Sequence, residues 1–198
     1  MQSTKRGLST LTKLFGLLLI SLCFCFVASA DEKVSNATSN QQQCRKFVQD
    51  FYDWYLNLAK NDSVRRKSPL EQAVQEKASC FSPNLLLQLK EDIKASSANP
   101  DEVVGLDFDP ILNSQEIAAP YKVEEVTVKD TRYFAHVYGT LNRKKSSKPD
   151  VTPELEFSGG KWTFVNFRYD REQPSTDLLE VLKQLRESRK MTETKKHK

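Results

Sequence analysis

VTPELEFSGGKWTFVNFRY, residues 151–169, decides the fold class. A run rich in strand-forming residues, Val151–Phe157, enters Ser158-Gly159-Gly160-Lys161 and leaves as Trp162–Tyr169. Two such runs joined by paired glycines read as a β-hairpin, because glycine supplies the positive φ angles of a tight turn. Trp162–Tyr169 has aromatic residues on both faces, as a central or doubly covered strand does. Upstream, Thr131–Leu141 alternates Tyr133, Ala135 and Val137 against Phe134, His136 and Tyr138. Tyr121–Val128 alternates well enough for a further strand. The second half is therefore a meander of about four antiparallel strands.

The first half has a different period. Cys44, Phe47, Val48, Phe51, Tyr55 and Leu58 recur at helical spacing, and Tyr52, Trp54 and Leu56 widen that face. Ser68-Pro69 and Ser82-Pro83 are two helix starts, each a serine N-cap followed by proline in the first turn. The second helix carries Leu70, Ala73, Val74, Ala78 and Phe81, with Lys77 interrupting the stripe. The third carries Leu85, Leu86, Leu89 and Ile93. After the strands, Leu178, Leu179, Leu182 and Leu185 mark a last helix from about Thr176. Helices, then a meander, then a closing helix give an α+β class. N-terminal helices pack on a curved antiparallel sheet, in the layout of the cystatin-like or nuclear-transport-factor-like roll, with a C-terminal helix added.

Outside this body the chain reads differently. Residues 1–30 carry Lys5, Arg6 and Lys13, an apolar run from Leu14 to Val27, and Ala28-Ser29-Ala30 before Asp31. That order is a signal peptide with its cleavage site. The apolar run would span about 21 Å as a helix, short of a hydrocarbon core of about 30 Å. Leu22 and Phe24 precede Cys23 and Cys25, so no lipoprotein signal is present. Residues 31–42 read as a flexible leader, 43–188 as one domain, and 189–198 as a basic disordered tail. Losing residues 1–30 removes three basic residues and no acid, so the net charge falls from +4 to +1. A basic tail on a slightly acidic body argues against nucleic-acid binding.

Two cysteines, Cys44 and Cys80, remain after cleavage. In an oxidising compartment they suggest one disulfide stapling the first two helices, with two free thiols as the alternative. No histidine or cysteine lies at zinc-ligand spacing from either. Asp107 and Asp109, with Asp101 and Glu102 near them, form an acidic loop. Its Gly105 and Pro110 suggest a shaped turn whose carboxylates accept backbone N–H bonds, and no metal is expected there. Asp53, Trp54 and Tyr55 on the first helix offer a carboxylate beside aromatics, and His136 offers a general base. Each of these residues also has an ordinary packing or surface role.

Two segments carry a family resemblance: Phe51-Tyr52-Asp53-Trp54-Tyr55-Leu56, and Val104-Gly105-Leu106-Asp107-Phe108-Asp109-Pro110 with Asn113-Ser114-Gln115 after it. Together they resemble the exported bacterial family known as domain of unknown function 3828, over roughly residues 45–170. The resemblance implies the nuclear-transport-factor-like roll and an exported protein, and it brings no catalytic residues. The expectation is a soluble periplasmic or secreted binding module without a cofactor, meeting an envelope or secreted protein partner. Asp53, Trp54, Tyr55, Asp107, Asp109 and His136 are its candidate contact residues. The alternative is a small pocket enzyme using a buried carboxylate or His136 as acid or base.

Overall fold

The computed structural model describes residues 38–60, 67–99, 104–115, 120–141, 144–145, 147–170 and 175–196. The signal-peptide segment 1–30, Asp101 and Glu102 lie outside these described residues. Met1–Asn40 and Gln41–Lys198 separate into two units, and the fold that follows is the second, with residues 38–40 of the first described only as helix. Helix α1 covers residues 38–60. Then come α2 (Pro69–Glu76), a 3-10 turn (Ala78–Cys80) and α3 (Pro83–Ala98). The strands are β1 (Tyr121–Lys129), β2 (Arg132–Leu141), β3 (Lys144–Lys145), β4 (Thr152–Ser158), β5 (Lys161–Tyr169) and β6 (Thr176–Asp177). Helix α4 (Leu178–Lys196) closes the chain.

The sheet is antiparallel in the order β1-β2-β4-β5-β6, with two-residue β3 pairing to β2. This is the α+β arrangement read from the sequence, with one more strand along the sheet. Gly159 and Gly160 take φ of 58° and 75°, so the β4–β5 turn uses the conformation glycine makes accessible. Register shifts leave Glu124 of β1 unpaired between Val123 and Glu125, and Val165 of β5 unpaired opposite Glu154 and Leu155. An extra residue at such a point bends its strand and curves the sheet.

Helix α1 lies on the core face of that sheet. Phe51 is the hub: its ring sits 4.8 Å from Phe164 of β5 and 5.8 Å from Phe81. The α3 start is tied to β5 by backbone, Ser82 N donating to Phe164 O at 2.8 Å. Helix α1 also covers the outer edge of β1. Gln41 donates to Val126 O, Arg45 donates to Val123 O, and Gln49 both donates to Tyr121 O and accepts from Val123 N. These side chains recur every fourth residue, so one helical stripe supplies the bonds a neighbouring strand would otherwise make.

Three expectations are corrected. Helix α1 is already formed at residue 38, so residues 38–42 are helical and not a flexible leader. Helix α4 runs to Lys196, so the basic stretch 189–196 is helical and not a disordered tail. Its N-terminus is capped by Asn166 Oδ1 accepting from Leu179 N and by Asp177 Oδ1 accepting from Glu180 N. Its second half is held at Arg189, whose Nη1 donates to Asp92 Oδ1 at 2.7 Å and to Val104 O at 2.8 Å. Asp92, on α3, is only 3% exposed and also accepts from Leu106 N. Gly105 sits so close to this cluster that a Cβ there would fall 2.0 Å from Ser96 Oγ.

The third correction concerns Cys44 and Cys80, which are free thiols. The expected staple assumed two long helices in an antiparallel hairpin. Instead α2 stops at Glu76, and the chain tightens into the 3-10 turn that holds Cys80. Phe81 meets α1 at Phe51. That is seven residues past Cys44, about 10 Å of helical rise, beyond what a disulfide spans. Burial pushes the Cys44 thiol up to about 12. Burial also raises Cys80, with Lys77 and Lys161 drawing it partly back. Only the thiolate reacts readily. In non-reducing buffer Cys80 is therefore expected to label slowly and Cys44 to stay protected until unfolding, when both label. A thiol titration with and without denaturant checks this, and loss of both thiols in the unfolded, unreduced protein contradicts it.

Candidate functional site

The second sequence motif folds into a tight turn, Asp109 to Ser114. Asp109 and Ser114 pair with each other through their backbones, and Asn113 takes a left-handed φ of 49°. Asp109 organises it: Oδ1 accepts from Ile111 N at 2.9 Å and from Leu112 N at 3.1 Å. Its Oδ2 accepts from the Tyr55 hydroxyl at 2.8 Å. Three more tyrosines reach the next three carbonyls. Tyr169 donates to Pro110 O at 3.0 Å, Tyr52 to Ile111 O at 2.7 Å, and Tyr121 to Leu112 O at 3.3 Å.

These tyrosines come from α1, β1 and β5, and none is more than 1% exposed. A buried tyrosine needs an acceptor for its hydroxyl, and a buried turn needs donors for its carbonyls. Each group satisfies the other. Ile111 and Leu112 are 0% and 1% exposed, so the turn fills the space between α1 and the sheet. Asn113 extends the network by donating to Asp150 O, and Asp150 accepts from Gly139 N. Burial raises the Asp109 carboxyl to about 6, against the smaller lowering effect of Tyr55 and the two N–H groups. Burial likewise pushes the Tyr52 hydroxyl well up, with Tyr121 and Asp109 adding to it.

Beside the turn, away from the sheet, lies an open cleft of about 530 Å³. Its walls include Glu71 of α2, Ile93 of α3, and Leu106, Asp107, Phe108 and Asp109. Among the described lining residues there are carboxylates and hydroxyls but no lysine or arginine. Asp92 also reaches this cleft, but Arg189 already neutralises it.

The structure brings together Tyr55 and Asp109, and it sets Asp107 beside them on the cleft wall. It separates the others. Asp53 is exposed and accepts from Gln49 Nε2 at 2.9 Å. Trp54 packs its ring 5.7 Å from Phe51, with the Lys77 ammonium 5.1 Å over it. His136 lies on the outer face of the sheet, its Nε2 3.3 Å from Thr127 Oγ1. Glu125 is its cross-strand neighbour, but no hydrogen bond joins the two side chains. Sequence reasoning missed Tyr52, Tyr121 and Tyr169 as anchors and missed Arg189 entirely. The available signal was the tyrosines themselves: a phenol in a core stripe implies a buried acceptor somewhere.

Among the described residues, no three His, Cys, Asp or Glu side chains gather as metal ligands. Both Asp109 oxygens are engaged by protein donors, so calcium would have to displace bonds the turn depends on. Thermal unfolding is expected to coincide in millimolar calcium and in chelator. A rise of several degrees with calcium, as mass action gives for a bound ion, would contradict this.

No family model matches the chain, and neither curated proteins nor solved structures give a match. The resemblance to domain of unknown function 3828 thus rests on its two motifs. What the fold itself establishes is an α+β protein in which, among the described residues, no helix is long and apolar enough to cross a membrane.

Proposed function

We propose that this protein is an exported, non-catalytic binding module of the cell envelope, working in the periplasm or outside the cell. One observation carries the reading. The place where a roll would hold a substrate is filled by the Asp109–Ser114 turn, and the polar groups there are spent on one another. Chemistry needs a group free to move a proton to a substrate, and this arrangement supports rigidity in its place. The apolar run ending at Ala28-Ser29-Ala30 and the family resemblance support export. N-terminal sequencing of the extracytoplasmic product is expected to begin at Asp31. A product retaining Met1 in the cytoplasm would overturn the export reading.

A second reading has its own observation: burial raises the Asp109 carboxyl to about 6, and Asp109 forms part of the cleft wall. Such a carboxyl suits a general acid in a small pocket enzyme. Affinity capture with the mature protein from an envelope extract separates the two. A ligand or partner recovered unchanged after incubation supports the module. Conversion of the captured molecule, lost in Asp109→Asn, would establish the enzyme in its place.

A further inference from the structure

We propose that the cleft beside the Asp109–Ser114 turn binds a small organic cation, an ammonium or guanidinium group carried on an apolar body. This rests on the reading of the chain as a binding module and names the class of ligand that the module takes. The cleft encloses about 530 Å³. Small-molecule sites occupy about 300–1,000 Å³ and are mostly apolar, with a few polar groups that set specificity. This wall has that make-up. Leu70 of α2, Ile93 of α3, and Leu106 and Phe108 before the turn all line it. Each packs against the core yet stays only partly buried, so each has apolar surface left to give. Phe108 is steadied from behind by Tyr169, whose ring meets it at 79° with 5.6 Å between centres.

Charge selects the ligand. Among the described lining residues the charged ones are Glu71, Asp92, Asp107 and Asp109, all of one sign. Arg189 cancels Asp92, which leaves Glu71, Asp107 and Asp109. Lys67, next to Ser68 on the rim, directs its ammonium to Gln75 Oε1 at 2.7 Å. Asp107 is exposed, and its carboxylate takes none of the turn's hydrogen bonds. Burial raises the Asp109 carboxyl, and what opposes the rise is hydrogen bonding from Tyr55, Leu112 and Ile111, with no cation taking part. A positive charge brought beside such a group favours its ionised form and is held by it in turn. Phosphate and carboxylate ligands are repelled here. Calcium needs about six to eight oxygen ligands, and among the described residues no acidic group of that kind gathers. A hydrated inorganic ion would also leave the apolar wall uncovered. An ammonium on a hydrocarbon body meets both halves of the cleft.

The test is an NMR titration of the mature protein with phenethylammonium, 2-phenylethanol and 3-phenylpropionate, which share a body and differ in charge. Methylammonium supplies the charge without the body. Phenethylammonium is expected to shift the backbone amides of Leu106, Asp107 and Phe108 to saturation and to be recovered unchanged. The alcohol should bind about tenfold more weakly, and the carboxylate not at all. In Glu71→Gln, Asp107→Asn the affinity for phenethylammonium should fall about tenfold at an unchanged urea midpoint, since glutamine still accepts from Ser68 N. Asp107→Asn alone, at an exposed position, should show part of that fall even if the double change weakens the fold. No saturable shift at these amides overturns the proposal, and so does equal affinity for the alcohol or full affinity in Asp107→Asn. An equal response to methylammonium overturns it too, because the wall then acts only as a diffuse acidic surface. A lysine-bearing peptide that binds where phenethylammonium does not overturns it in favour of a protein partner. All these failures leave the binding module standing. Saturable binding followed by conversion of the probe, lost in Asp109→Asn, upholds the cation site and overturns the non-catalytic reading.

Discussion

Replacing Arg189 with alanine is expected to destabilise the fold by about 3–5 kcal/mol, because it leaves a buried carboxylate without its counter-ion. Asp92 is 4% exposed at its side chain, and Arg189 is 19% exposed. The same guanidinium nitrogen also bonds Val104 O, so the Val104 carbonyl loses its donor too. Ending the chain after Ser188 should do the same damage as the point substitution. Had the stretch from residue 189 been a disordered tail, that truncation would cost nothing. Urea unfolding of the full chain, Arg189→Ala and the truncated chain decides between the two. Full stability after truncation removes the clamp from the account. A double change, Arg189→Met with Asp92→Leu, should recover part of the loss, since it leaves no unpaired charge.

The second large effect is expected at Asp109. Alanine there strips the acceptor from the Tyr55 hydroxyl and from the N–H groups of Ile111 and Leu112. Each buried donor left unmet costs about 1–3 kcal/mol, so the loss should be on the order of 3–5 kcal/mol. Asparagine has the same shape and should cost far less. Its Oδ1 keeps the two backbone bonds, and its amide can donate to the Tyr55 oxygen. The pair also separates hydrogen bonding from charge. The folded carboxyl sits at about 6 and the unfolded one at about 4, so the folded state binds the proton more tightly. The stabilisation is therefore full below about pH 4 and is lost as pH rises through 6. It amounts to about 2–3 kcal/mol. Unfolding free energies of wild type and Asp109→Asn should diverge over that window, with wild type gaining on acidification relative to the variant. Parallel profiles would mean that the carboxylate is not buried as described.

Local signals were legible and distant ones were not. Ser68-Pro69 and Ser82-Pro83 start helices where they were read, and Ser68 makes a full capping box with Glu71. The Gly159-Gly160 hairpin and the flanking strands fall within a residue or two of the reading, because turn chemistry and period are short-range. Lys77, seen as a break in the apolar stripe, is where α2 gives way to the 3-10 turn. The acidic loop was read as a shaped turn with backbone N–H bonds, and Asp109 makes them. The tyrosines that hold it come from far along the chain: Tyr52 and Ile111 are 59 positions apart. Arg189 and Asp92 are 97 apart, and no periodicity links them. The basic end read as a tail because its polar composition hides one buried contact. Two-residue β6 is too short to have a pattern.

The stripe of Gln41, Arg45 and Gln49 along β1 has a bearing on assembly. A strand edge is normally closed by another backbone, which accepts almost any sequence. Here it is closed by three particular side chains, so the closure is written in residues that mutation can erase. While α1 is docked, β1 offers incoming chains no free row of amides at Val123, and fibre growth from that side has no template. Before α1 docks, the same row lies open beside Val123 and Val126. The order in which helix and sheet come together therefore decides whether newly released chains fold singly or join edge to edge. A crowded refolding of Gln41→Ala, Arg45→Ala, Gln49→Ala should make the difference visible as turbidity.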